Sequence, residues 1–373
     1  MAYLTLSTAN LPDPAIDPAQ GSSPADYFGT LLWTGNTDTG TRTITDATSG
    51  VTGEVNFTPD WVWTKSRSAT GSHAIFDAVR GANEYLTSNG TGAEITDPSS
   101  GYLDSFTDGG FVAQEGSSNF ANLNTNGTTY VAWNWKANGS GVSNTDGSIT
   151  STVSANTESG FSVVKYDGTG TAATVGHGLD QAPQLIFCKR LDRSGDDWKV
   201  YAEAIGGGTH QLTLNSTANA STNSAQWNDT DATSTVFSIG TSAATNGTNQ
   251  IAYCFHSVDG FSKVSSYVGN GSTDGPFVYL GFRPSFVMLK RSDTTGTWQM
   301  LDSKRDTFNV TDEILVADSP AAEFTGTGTG GYLYDFTSNG FKVREDNSYT
   351  NASGGTYIYM AFAENPFKYS NAR

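Results

Sequence analysis

The chain has 373 residues, 42 of them glycine; 12% are aromatic, 15% are charged, and the formal net charge is −17. So acidic a surface repels phosphate backbones, which argues against a nucleic-acid partner. The aromatic content supplies core that a disordered chain lacks. No stretch reaches the length of a membrane span, and the first residues lack the basic and apolar blocks of a signal peptide, so neither membrane insertion nor signal-directed export is expected.

Residues 1–26 carry Pro12, Pro14, Pro18 and Pro24, a density that favours extended chain. Tyr3, Leu4, Leu6, Leu11 and Ile16 lie among them as apolar anchors. The segment reads as an arm that docks on a neighbouring protein, with Leu4 and Leu6 alternating as in a strand added to a sheet edge. The alternative is an arm that wraps its own first domain.

From Tyr27 the chain repeats itself. Phe28 to Trp33 reads as a strand and Gly35-Asn36 as a turn. A proline-led strand follows, Pro59-Asp60-Trp61-Val62-Trp63-Thr64-Lys65-Ser66-Arg67, and it returns as Pro183 to Arg190 and Pro284 to Arg291. Proline gives no N–H and suits a strand's first residue. The apolar run after it suits burial on both faces. Some 70 residues later a second strand recurs without gaps, as Val131 to Trp135, Ile251 to Phe255 and Ile358 to Phe362. Alternation places Trp133, Tyr253 and Met360 on one face, predicted to be core. The openings match as well: Trp33-Thr34-Gly35-Asn36, Tyr166-Asp167-Gly168-Thr169 and Tyr267-Val268-Gly269-Asn270.

These intervals predict an all-β chain of three tandem β-sandwich domains over 27–137, 160–257 and 258–373. Residues 138–159 are poor in long apolar side chains and read as a linker, or else as an extended edge strand. Ala74, Ile75, Ala78 and Val79 have helical spacing in a stretch short for a helix. Residues 216–235 turn polar and read as a long exposed loop.

The chemistry-bearing residues form no recognised catalytic pattern. His73, His177, His210 and His256 lack metal-ligand spacing. Asp192, Asp196 and Asp197, and likewise Asp229 and Asp231, read as solvated turns. Cys188 and Cys254 read as reduced core residues. Glu94 and Glu323 fall at similar places in repeats one and three, but no second carboxylate completes a glycosidase pair. No enzyme activity, cofactor or metal is therefore expected. The repeated basic residues, Lys65 and Arg67, Lys189 and Arg190, and Lys290 and Arg291, leave two readings open. One is ion pairing with the aspartates that follow, such as Asp192 and Asp293; the other is contact with a sugar acid or a partner. Trp198 and Trp298 read as core. Trp227 is open between satellite core and contact surface.

At Trp133 through Ile149, at Gly355 through Phe367 and at Pro18 through Phe28 the chain resembles repetitive structural proteins of marine tailed bacteriophages. The resemblance spans nearly the whole chain. It implies a virion protein with jelly-roll or lectin-like sandwiches, assembled in the host cytoplasm, homo-oligomeric and joined to other virion proteins through the arm. A tail fibre or adhesin contacting host-surface glycan is the first expectation. A head-decoration or head-fibre protein is the second, and a polysaccharide depolymerase the third.

Overall fold

The computed structural model describes residues 11–36, 40–96, 101–114, 123–329 and 331–370. Repeat one runs β1 (Phe28–Thr34), β2 (Thr41–Thr45), β3 (Val51–Gly53), β4 (Trp61–Ser66), β5 (Ala74–Asp77), β6 (Gly81–Leu86), β7 (Tyr102–Thr107), β8 (Gly110–Gln114) and β9 (Thr129–Trp135). Its large sheet has the order β3-β1-β9-β4-β5-β6 and its small sheet β2-β8-β7. Leu31, Ile44, Phe76, Phe111 and Tyr130 fill the space between them.

Repeat two runs β10 (Val142–Asn144), β11 (Ser151–Asn156), β12 (Phe161–Tyr166), β13 (Ala173–Gly176), β14 (Leu185–Arg190), β15 (Lys199–Ala202), β16 (His210–Thr213), β17 (Ser221–Thr222), β18 (Val236–Ile239) and β19 (Gln250–Phe255). Its large sheet is β10-β11-β12-β19-β14-β15-β16-β17, faced by β13-β18. Repeat three runs β20 (Ser262–Val268), β21 (Phe277–Tyr279), β22 (Phe282–Arg291), β23 (Trp298–Asp302), β24 (Glu313–Val316), β25 (Phe324–Thr325), β26 (Tyr334–Thr337), β27 (Gly340–Val343) and β28 (Thr356–Pro366). Its sheets are β20-β28-β22-β23-β24-β25 and β21-β27-β26. The proline-led strand thus lies between the aromatic strand and the next hairpin strand in every repeat. All named strand pairings are antiparallel, and the fold is all-β and sandwich-like.

The recurrent openings have one physical cause. A Cβ on Gly35, Gly168 or Gly269 would lie 2.0–2.4 Å from the backbone of Thr125, Asn246 or Ala352. Only glycine permits that approach. The aromatic residue two positions earlier anchors the same loop. Trp33 Nε1–H donates to the Leu123 carbonyl (2.8 Å), and the Tyr166 and Tyr267 hydroxyls donate to the Thr245 and Thr350 carbonyls (2.7 Å each).

The aromatic face of each large sheet turns away from its own small sheet. Trp61, Trp133, Tyr253, Phe286, Met360 and Phe362 belong to one buried cluster that spans all three repeats. Trp61 stacks on Tyr253 at 4.7 Å, Phe28 on Phe362 at 4.9 Å, and Phe187 meets Trp298 edge-on at 6.1 Å. Rings at these offsets and tilts are favourable beyond their buried area.

The three seams carry the same backbone bonds in cyclic order. The N–H groups of Gly195, Gly296 and Gly71 donate to the carbonyls of Thr91, Thr217 and Pro320 at 2.8–2.9 Å. Those of Glu94, Ala220 and Glu323 donate to the carbonyls of Leu191, Ser292 and Arg67, each at 2.8 Å. Ring nitrogens reinforce each seam. Trp198 Nε1–H donates to Thr87 O (2.8 Å), Trp298 Nε1–H to Thr213 O (3.0 Å), and His73 Nε2 lies 2.9 Å from Val316 O. Repeats one, two and three thus close a pseudo-threefold ring within one chain.

The structure resolves four readings of the sequence. Residues 138–159 are not a linker but supply β10 and β11, and β11 pairs along its length with β12. The edge strand β10 buries no side chain fully, and in β11 behind it Ser151, Val153 and Ser154 suffice for the buried positions. Ala74–Asp77, short for the helix its spacing allowed, is a strand paired with β4 on one side and β6 on the other. Part of the polar stretch 216–235 is ordered around a short helix α1 (Ser224–Trp227), capped by the Asn223 side chain and burying Trp227.

The described part of the arm packs on its own chain, as the alternative reading had it, but against repeat three as well as the first repeat. Ile16 is 2% exposed in the shared core, and Leu11 is half-buried. Ala15 N–H donates to Asp259 O (3.2 Å), and the Tyr369 hydroxyl donates to Asp17 (2.6 Å). Gly260 leaves room for Pro14. Tyr3, Leu4 and Leu6 lie outside the described residues.

Candidate functional site

The lysines singled out from the sequence point inward. Lys65 Nζ donates to the carbonyls of Ser66 (2.7 Å) and Ala69 (3.4 Å), and Lys189 Nζ to those of Arg190 (3.1 Å) and Asp196 (2.9 Å). Lys290 Nζ donates to Arg291 O (3.1 Å), Gly296 O (2.6 Å) and, across a seam, Thr217 O (3.1 Å). Each closes the turn after its strand. Burial pushes all three amines down to about 8. They are therefore not surface contacts, because residues at most 1% exposed have nothing to offer a partner.

The arginines divide. Arg190 pairs with Asp192 (2.6 Å) and Arg291 with Asp293 (2.9 Å), so of the two open readings the geometry gives ion pairing. Arg67 crosses from repeat one to repeat three, where it meets Glu323 (2.7 Å) and Glu313 (2.5 Å). Trp227 is fully buried against Tyr201 and offers no surface. Cys188 and Cys254 are buried free thiols, and burial pushes Cys188 up to about 12.

Two seams carry buried networks of charge. In one, Arg80 Nε pairs with Asp77 (2.5 Å) and Nη1 with Glu94 (3.1 Å), while the Tyr253 hydroxyl of repeat two donates to Asp77 (2.7 Å). In the other, Arg305 Nε pairs with Asp302 (2.6 Å) and Nη1 with Glu323 (2.8 Å), while Trp133 Nε1–H of repeat one donates to Asp302 (3.1 Å). Glu94 and Glu323 are thus arginine ligands. The corresponding residues of repeat two are Ala202, Ile205 and Ala220. Met360, the residue aligned with Tyr253 and Trp133, lines a small apolar space there with Ala202.

Glu323 sits between two guanidinium groups. Burial opposes its charge, but hydrogen bonds from Arg67 and the Arg305 charge hold the carboxyl down at about 2. Burial, and then the neighbouring Glu323 carboxylate, push Glu313 up to about 7. The sequence carried a signal for these sites, the spacing Asp-x-x-Arg at Asp77/Arg80 and Asp302/Arg305, followed by a glutamate after alanine.

A cavity of about 850 Å³ opens where the arm meets repeats two and three. Tyr27, Glu158, Asp180, His256, Asp259 and Lys263 contribute its polar walls. The Tyr27 hydroxyl donates to Glu158 (2.6 Å), and Lys263 Nζ to the Tyr279 carbonyl (3.1 Å). His256 is 3% exposed; its Nδ1 lies 2.9 Å from Ser257 O and its Nε2 3.4 Å from Asp180 Oδ1. Sequence reasoning weighed His256 only as a metal ligand. Among the described residues no group of three or more His, Cys, Asp or Glu is placed to hold a metal ion.

A family model described as a domain of unknown function, DUF7483, matches residues 23–366. No curated protein and no solved structure matches the chain. The match covers all three repeats and the seams between them, and the chain belongs to the DUF7483 family.

Proposed function

We propose that the protein is a structural component of a tailed-bacteriophage virion, in the first instance a tail fibre or adhesin. The observation that carries the reading is the pseudo-threefold ring. Its buried lysines close turns, and its buried Arg80 and Arg305 close seams. A block of this symmetry is suited to a threefold assembly axis, and rigid scaffolds with variable loops are how proteins present contact surfaces. The resemblance to marine phage structural proteins points the same way. A head-decoration role is the second reading. It is favoured by the described residues offering no shaft, since their longest helix has four residues.

Labelling the protein in intact virions and imaging them tests both. Label at the tail tip supports the adhesin, and label distributed over the head supports decoration. Purified particles without the protein would reject the virion reading.

A further inference from the structure

We propose that the cavity between the arm and repeats two and three binds an organic ammonium group. The inference goes beyond the virion reading and does not rest on it. The first observation is the His256 tautomer. Its Nδ1 faces a carbonyl, which can only accept, so Nδ1 carries the hydrogen, and in the ring's neutral form Nε2 presents a lone pair. That lone pair is buried, without a hydrogen-bond partner, and its near neighbour is the Asp180 carboxylate. Two acceptors 3.4 Å apart call for a donor between or beside them.

The second observation is charge. Glu158, Asp180 and Asp259 line the cavity against one ammonium, Lys263, which is already held by the Tyr279 carbonyl. A cation is favoured over an anion in such walls. An ammonium has three donors and no acceptor, which matches a wall of acceptors. The third observation is size. A volume of about 850 Å³ admits the carbon skeleton of a sugar or a long side chain as well as the charged group. The cavity breaks the pseudo-symmetry, because Lys136 and Ala363 stand where repeat two has His256.

An ammonium group of this kind could come from an amino sugar or from a lysine side chain. The test is an NMR titration of the full chain with glucosamine and with Nα-acetyl-lysine methylamide, and with glucose and N-acetylglucosamine as uncharged controls. At least one ammonium probe is expected to saturate shifts at Val258 and Lys263, with the neutral sugars weaker by about tenfold or more. Preference between the two ammonium probes identifies the source. Asp180 is 62% exposed, so Asp180→Asn leaves the fold intact and is expected to weaken binding by about tenfold. Neutral sugars binding as tightly as the ammonium probes would overturn the proposal, as would an Asp180→Asn variant that binds normally. Failure of both ammonium probes to saturate would do the same. So would imidazole nitrogen shifts showing both His256 nitrogens protonated in the free protein at neutral pH, since the ring would then supply its own donor.

Discussion

Two seams of the ring hold a buried ion-pair network, and the third has apolar contact in its place. Where repeat one meets repeat two, and where repeat three meets repeat one, an aspartate, an arginine, a glutamate and a polar-tipped aromatic residue occur together. Where repeat two meets repeat three all four are replaced, by Ala202, Ile205, Ala220 and Met360. The set is present whole or absent whole. A partial set would leave a buried ion unpaired, which costs far more than the complete network gains. The same backbone bonds close all three seams, so the charged set is one of two solutions to a single packing problem.

The sharpest way to break the comparison is to make one seam incomplete. Asp302→Ala takes one of two carboxylate partners from Arg305, whose side chain is fully buried and keeps only Glu323, and is expected to cost about 3–5 kcal/mol in chemical denaturation. Replacing the whole set, by adding Arg305→Ile, Glu323→Ala and Trp133→Met, is expected to recover most of that loss. At the apolar seam, Met360→Ala removes a buried side chain and leaves a cavity, at about 2–5 kcal/mol. Lys290→Met takes the donor away from three carbonyls and is expected to cost about 1–3 kcal/mol in the same denaturation measurement.

The smallest effect is a pH dependence. Glu313 is raised from 4.5 to about 7, so the folded state holds its proton more tightly than the unfolded one. Its contribution to stability is complete below 4.5 and is lost as pH rises through about 7. The wild type should therefore lose stability relative to Glu313→Gln across that window, and denaturation midpoints at several pH values check the sign.

Much of the architecture was legible because three copies of a strand must fill three equivalent places. Pro59, Pro183 and Pro284, and Trp133, Tyr253 and Met360, mark those places directly. The shared core was not legible. Alternation says that Trp133 is buried, but not that the far wall belongs to another repeat. The arginine–aspartate pairs at Arg190 and Arg291 lie two residues apart in sequence and could be weighed in advance. The lysines could not, since an amine satisfied by carbonyls has no partner that sequence can name. Ile16 was read as a free anchor because an apolar residue among prolines gives no sign of which surface it covers. His256 was passed over because its partners, Ser257 O and Asp180, form no motif.

The central claim is that the three repeats share one core and behave as one body. Scanning calorimetry of the full chain tests it most directly, because a cooperative unit has equal calorimetric and van't Hoff enthalpies. A ring closed at all three seams predicts a single transition with those enthalpies equal, and two or three resolved transitions would contradict it.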